Sequence, residues 1–210
     1  MSTLGVYMSF NISVFFSAVR SGLLGPKLDE GEVNGCEAIL EAMAGMPVSW
    51  AAYALGTAYH ETAHTMQPIK EYGGPKYFTR MYDITGARPT MAKKMGNTTP
   101  GDGPKYCGRG YVQLTWRVNY ALAGDKLRVD LVNDPDLAMN KDIAASIMRE
   151  GMKAGWFTGK KLADYLPNGT ATLAQFKAAR RIINGTDRAE LIASYAVQFQ
   201  EALVAAEWGK

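Results

Sequence analysis

Pro47-Val48-Ser49-Trp50-Ala51-Ala52-Tyr53-Ala54-Leu55-Gly56-Thr57-Ala58-Tyr59-His60-Glu61-Thr62-Ala63-His64-Thr65-Met66-Gln67-Pro68 is the stretch on which the fold turns. It opens on a helix-start signal at Pro47-Val48-Ser49 and carries Trp50, Tyr53, Ala54 and Tyr59 at helical spacing. The spacing predicts a helix to about Met66, stopped by Pro68. Directly beyond, the texture changes. Residues 67–110 hold eight glycines and five prolines, a density of breakers that predicts neither helix nor strand. Such a long loop-rich segment inside a compact domain is uncommon and usually functional. A helix that delivers its last turn to it marks where a site is to be sought.

Outward from this stretch the chain reads as mainly α. Its 210 residues include 28 alanines, the best helix former. Helices are predicted over about 9–21 and 30–44 before it, and over about 111–123, 141–156, 172–183 and 187–206 after it. Hydrophobic and charged fractions of 47% and 20% are ordinary for a globular chain and exclude disorder, a collagen-like repeat and a coiled coil. Cys36 and Cys107 are too few for a disulfide framework or a cysteine-rich zinc site. No stretch approaches 18 uncharged apolar residues, so no bilayer span is predicted. The apolar stripe at 191, 192, 195, 196, 199, 203 and 206 reads as core.

The net charge of +3 does not fit a nucleic-acid binder. The positive charge is uneven, however. Residues 141–181 carry eight basic side chains against three acidic ones, either a solvated surface or contact with a polyanion such as a bacterial surface. The uncharged start, Met1 to Val19, lacks the basic segment and unbroken apolar run of a signal peptide. Synthesis in a cytoplasm is expected, as is a monomer. No cofactor is called for.

Both histidines fall in His60-Glu61-Thr62-Ala63-His64, the H-E-x-x-H pattern of zinc peptidases. A zinc site would need a third ligand, and no third histidine exists. The other reading needs only Glu61. With Trp50, Tyr53, Ala54 and Thr57 on the turns before it, burial would favour a protonated carboxyl, which a general acid for glycosidic cleavage requires. A second carboxylate is then sought among Glu71, Asp83 and Asp102.

Tyr106-Cys107-Gly108-Arg109-Gly110-Tyr111-Val112-Gln113-Leu114-Thr115, followed by Asn119-Tyr120, resembles the Y-x-G-R-G-x-x-Q-L-[ST]…N-Y signature of glycoside hydrolase family 19. His60-Glu61-Thr62 resembles that family's H-E-[ST] helix end, and Ile182-Ile183-Asn184-Gly185 its I-I-N-G turn. Gly96-Asn97-Thr98-Thr99-Pro100-Gly101-Asp102-Gly103 brings the chain nearer to bacteriophage endolysins of the family than to plant chitinases. The resemblance is strong over about 48–200.

It implies a lysozyme-like bilobed helical domain with the loop-rich segment lining a sugar cleft. A single catalytic domain over 1–210 is expected, with N-terminal helices over about 9–45, a core over about 46–208 and no separate wall-binding domain. By motif position Glu61 is the acid, Glu71 the base of an inverting reaction with Asp83 as second choice, and Thr115 a holder of the water. Gln113, Asn119 and Asn184 match sugar-binding positions, and His60 lies by the acid; Tyr106 is expected at the substrate. Arg109 is either a cleft residue or a clamp on loop carbonyls. The activity implied is cleavage of the β-1,4 bond between N-acetylmuramic acid and N-acetylglucosamine in peptidoglycan by a phage lysin. Such a lysin would reach the wall from the host cytoplasm once the membrane is permeabilised. The alternatives are a chitinase, a lytic transglycosylase, a catalytically dead wall-binding module and the zinc peptidase.

Overall fold

The computed structural model describes residues 10–209, so the expected helix start at residue 9 lies outside the described residues. In chain order the helices are α1 (Ile12–Ser21), α2 (Glu30–Ala42), α3 (Val48–Glu61), α4 (Pro75–Tyr82) and α5 (Pro89–Lys94). They continue as α6 (Asp102–Lys105), α7 (Arg117–Leu127), α8 (Lys141–Ala154), α9 (Leu173–Ala179) and α10 (Ala189–Ala205). Strands β1 (Ile69–Lys70) and β2 (Arg109–Gly110) pair antiparallel, Ile69 opposite Gly110 and Lys70 opposite Arg109. The fold is mainly helical, as the sequence predicts.

One expectation is corrected. The segment 67–110 is not free of helix, because α4, α5 and α6 lie in it. Pro75 and Pro89 stand in the first turn of their helices, where a missing N–H leaves no bond unmade, so these prolines start helices. The described residues form two compact units, one of residues 10–67 with 148–209 and one of residues 68–147.

In the first unit α3 is the central element. Every residue from Ser49 to Tyr59 except the half-buried Trp50 is buried, a helix covered on all sides. Its small side chains let α10 close in, and a Cβ on Gly56 would stand 2.9 Å from the Ala196 main-chain nitrogen. Most of the stripe read along α10 is core, with Ile192, Ala196, Phe199, Leu203 and Ala206 buried, but Leu191 is exposed and Tyr195 half-buried. Phe199 stacks on Phe15 of α1 with ring centroids 6.5 Å apart. Buried Gln200 replaces main-chain partners, accepting from Ala171 N at 2.7 Å and donating to Ala171 O at 3.0 Å. Asp29 and Glu32 cap the start of α2 reciprocally.

The second unit is built on buried polar side chains that hold its loops. Asp83, 1% exposed, accepts from Gly101 N and Gly103 N at 2.9 Å each and from Thr85 N and Oγ1. Burial would push its carboxyl up, but the hydrogen bonds led by Gly103 hold its pKa below the usual carboxylate range. Asp83 is thus a loop anchor, and its place as second choice for a catalytic base is withdrawn. Asp102 likewise accepts from Thr98 N and Thr99 N. Asp83→Ala should lower the unfolding free energy by about 3 kcal/mol, since it strands buried main-chain donors. A lowered native pKa makes this contribution complete at neutral pH and removes it as pH falls through the native value. Denaturation midpoints against pH should therefore show a flatter acid limb in Asp83→Ala than in the wild type.

Candidate active site

Within the unit of residues 68–147, β1 runs directly into Glu71, whose N–H donates to Gly108 O at 2.9 Å. Two donors orient the half-buried carboxylate: Tyr82 Oη reaches Oε1 at 2.7 Å and Gly108 N reaches Oε2 at 3.1 Å. Burial first, then the hydrogen bond to Glu71, pushes the Tyr82 phenol well above its ordinary range, so Tyr82 stays a donor. A Cβ on Gly108 would lie 2.8 Å from Gln113 Oε1 and 3.2 Å from Glu71 Oε2, so a bare backbone is needed there. Gly108→Ala should cut turnover about tenfold, by shifting both side chains, while changing stability by about 1 kcal/mol; rate and melting measurements together check this.

The signature residues continue from that point. Gln113, at φ 51°, donates through Nε2 to Ile69 O and Gly110 O, both at 3.1 Å, which ties β1 to β2. Thr115 Oγ1 donates to Gln113 O at 2.8 Å, and Asn119 Nδ2 to Thr115 O at 2.7 Å. Glu71, Gln113, Thr115 and Asn119 are therefore joined through Gly108 and the paired strands into one local array.

Of the two readings of Arg109, the clamp is the one seen. The side chain is 3% exposed, with Nε 2.7 Å from Asp136 Oδ1 and Nη1 3.0 Å from Lys105 O, Cys107 O and Tyr120 Oη. The sugar contact expected of Tyr106 is also corrected. This residue is 2% exposed, and its hydroxyl donates to Val132 O at 3.0 Å.

Glu61 ends α3 in the other unit. Its environment is not the apolar one the sequence implies, because Oε1 lies 2.8 Å from Arg180 Nη2, with side chains 17% and 2% exposed respectively. Arg180 Nε donates to Asp187 O at 2.9 Å, which anchors the guanidinium. Arg180 Nη1 and Thr57 Oγ1 are buried without hydrogen-bond partners, a state that is uncommon and calls for an explanation at each occurrence. His60 is half-buried. Burial, helped by the charges of Arg180, His64 and Arg188 and opposed by that of Glu61, lowers its pKa, so it is neutral at neutral pH. Asn184 is exposed on the turn after Ile183.

The zinc reading fails on geometry. α3 ends at Glu61 rather than near Met66, and Ala63 and His64 have φ of 51° and 71°. The two histidines are thus not on successive turns of one helix. His64 instead stacks on Tyr59 with centroids 4.2 Å apart, its Nε2 3.3 Å from Tyr195 Oη.

Residues 49–160, more than half of the sequence, match the family of chitinase class I, glycoside hydrolase family 19. The chain belongs to glycoside hydrolase family 19. The match takes in Glu61, Glu71, Gln113, Thr115 and Asn119, whereas Arg180 and Asn184 lie beyond it. An endochitinase of Arabidopsis thaliana is 30% identical over 156 residues, 72% of this family 19 chain and 50% of that protein. Chitinase 11 of Oryza sativa subsp. japonica is 50% identical over 52 residues, 25% of this chain and 20% of that one. The chain spans half or less of the length of these curated relatives. Among solved structures, chitinase C from Streptomyces griseus HUT6037 shares the fold, with a TM-score of 0.64 and 21% identity over 93% of this chain and 76% of that one. A bacterial family 19 chitinase gives 0.55 and 25% identity over 92% and 94%.

The sequence reading of this family 19 chain missed two residues. Tyr82 carries no motif, and its role appears only when α4 turns it onto Glu71. Arg180 is one of two adjacent arginines before an apolar pair, and only the fold shows which of them is buried.

Proposed function

We propose that the chain hydrolyses β-1,4-linked polymers of N-acetylglucosamine. The observation that carries this is the array of Glu71, Gln113, Thr115 and Asn119, within a sequence whose named relatives are chitinases. Glu61 supplies the proton to the leaving glycosidic oxygen. Arg180 fixes that carboxyl through Oε1, which leaves Oε2 to carry the proton. Glu71, oriented by Tyr82 and Gly108, takes a proton from water attacking the opposite face of the sugar, the pairing of roles in an inverting glycosidase. The Thr115 hydroxyl oxygen helps hold that water, and Asn119, whose Nδ2 donates to Thr115 O, offers its amide oxygen to an N-acetyl group.

A second reading, cleavage of peptidoglycan as a lysin, is supported by the cationic character of residues 141–181. Peptidoglycan contains the same sugar alternating with a carboxylate-bearing one. Mass spectrometry of products from N-acetylglucosamine hexamer and from purified peptidoglycan tests both. Shorter N-acetylglucosamine oligomers are expected from the hexamer. Fragments from peptidoglycan alone would replace the first reading by the second, and intact glycans in both would overturn the hydrolase.

A further inference from the structure

Tyr82, the side-chain donor that orients Glu71, is itself held by residues that the catalytic scheme does not use. Its half-buried ring has Phe78 stacked on it, with centroids 6.5 Å apart. Trp116 meets it edge-to-face at 5.1 Å and 85°, inside the range that such ring pairs favour. Arg88 Cζ lies 5.8 Å from the ring centroid of Tyr82 and 5.8 Å from that of Trp116, a cation bridging two aromatic rings. The reach of Arg88 is fixed. Its Nε and Nη2 both donate to Met81 O, at 3.0 and 2.8 Å, one residue before Tyr82.

Trp116 sits in a conformation that suits another residue. Its φ of 78° and ψ of 138° lie where glycine is at ease and a side chain strains the main chain. The main chain is fixed around it. Trp116 N donates to Tyr106 O at 2.9 Å, and Trp116 O accepts from Asn119 N and Tyr120 N at 3.0 and 3.1 Å. This reversal joins Thr115 to the first turn of α7, which carries Asn119. A glycine would make the same turn without strain, so the indole is kept for what it touches. One residue thus bears on both halves of the array. Its ring acts on Tyr82 and so on Glu71, and its backbone acts on Thr115 and Asn119.

We propose that Trp116 and Arg88 are positioning residues for hydrolysis, acting through the Tyr82 hydroxyl to hold the Glu71 carboxylate in register with the Thr115 hydroxyl. This rests on the hydrolase reading and adds to it the part of the protein that sets the base. Arg88 also acts by charge. Burial, and then the hydrogen bond to Glu71, push the Tyr82 phenol up, and the Arg88 cation opposes them. A cation on the ring makes the hydroxyl a stronger donor to the carboxylate. The plainer role for Arg88 is a tether that closes the loop of residues 83–88 on Met81. A tether supports the fold whether or not residue 82 carries a hydroxyl, whereas a positioning residue loses its effect once the hydroxyl is gone.

The test is steady-state hydrolysis of N-acetylglucosamine hexamer, or of solubilised peptidoglycan if that is the glycan cleaved, by variants with and without Tyr82→Phe. Arg88 is exposed, so Arg88→Met should fold normally. It should lower kcat about fivefold while KM changes less than about twofold. Arg88→Lys, which keeps the charge, should recover part of the loss. In the Tyr82→Phe background Arg88→Met should change kcat by less than about twofold. Trp116→Gly relieves the backbone, yet it should lower kcat about tenfold, and Trp116→Phe should restore part by returning a ring edge. An unchanged kcat in Arg88→Met, an equal loss with and without the Tyr82 hydroxyl, or full activity in Trp116→Gly would overturn the proposal. Carbon NMR of protein isotope-labelled at tyrosine Cζ needs no turnover. The Tyr82 resonance, assigned by its loss in Tyr82→Phe, should move in Arg88→Met in the same direction as in Glu71→Gln; an unmoved resonance would overturn the proposal. If the wild type cleaves no glycan, the hydrolase reading fails while the resonance still decides whether Arg88 sets the contact of Tyr82 with Glu71.

Discussion

Glu61→Gln should lower glycan hydrolysis by about 10³-fold, because the amide cannot deliver the proton that the leaving oxygen needs. Binding of oligosaccharide should survive, since the side chain keeps its shape. The same substitution removes the one acidic partner that Arg180, whose side chain is 2% exposed, has among the described residues. Breaking one half of a buried pair leaves an uncompensated charge, so a stability loss of about 3 kcal/mol should accompany the loss of rate. The two effects separate in a double-mutant cycle with Arg180→Met. Removing both partners should recover part of the stability and none of the activity. Full hydrolysis by a folded Glu61→Gln would remove Glu61 from the chemistry.

Glu71→Gln should slow hydrolysis by about 10²-fold or more, through loss of the group that takes the proton of water. Its fold should hold, because glutamine still offers an oxygen to Tyr82 or Gly108 N. Tyr82→Phe removes one of the two donors and should cost about tenfold in turnover, with substrate affinity little changed. The products distinguish mechanisms. Persistent cleavage by Glu71→Gln with anhydro sugar ends would mean a transglycosylase, in which a single carboxylic acid suffices.

Much of this was legible in the residues. The helix ending at Glu61, the loop-rich segment after it and the Gly108–Asn119 array each carry a pattern local in sequence, and local patterns survive without knowledge of the fold. What failed did so for physical reasons. Pro75 and Pro89 look like breakers in a count of residue types, yet a proline in the first turn begins a helix. Asp83 sits at a suggestive spacing from Glu61, but its four donors come from Thr85, Gly101 and Gly103, and no spacing announces them. Arg180 escaped because a buried arginine and a solvated one are written with the same letter. The apolar neighbours of Glu61 on α3 were real and buried, but they were not its whole environment. Only the fold places residue 180 against residue 61.

The roles proposed for Glu61 and Glu71 are those of acid and base in an inverting hydrolysis. Proton NMR of fresh products from N-acetylglucosamine hexamer, recorded before the anomers equilibrate, tests this assignment most directly. Attack by water activated at Glu71 predicts the α anomer as the first product of cleaving a β linkage. Initial release of the β anomer would overturn the inverting assignment and require a covalent or substrate-assisted route instead.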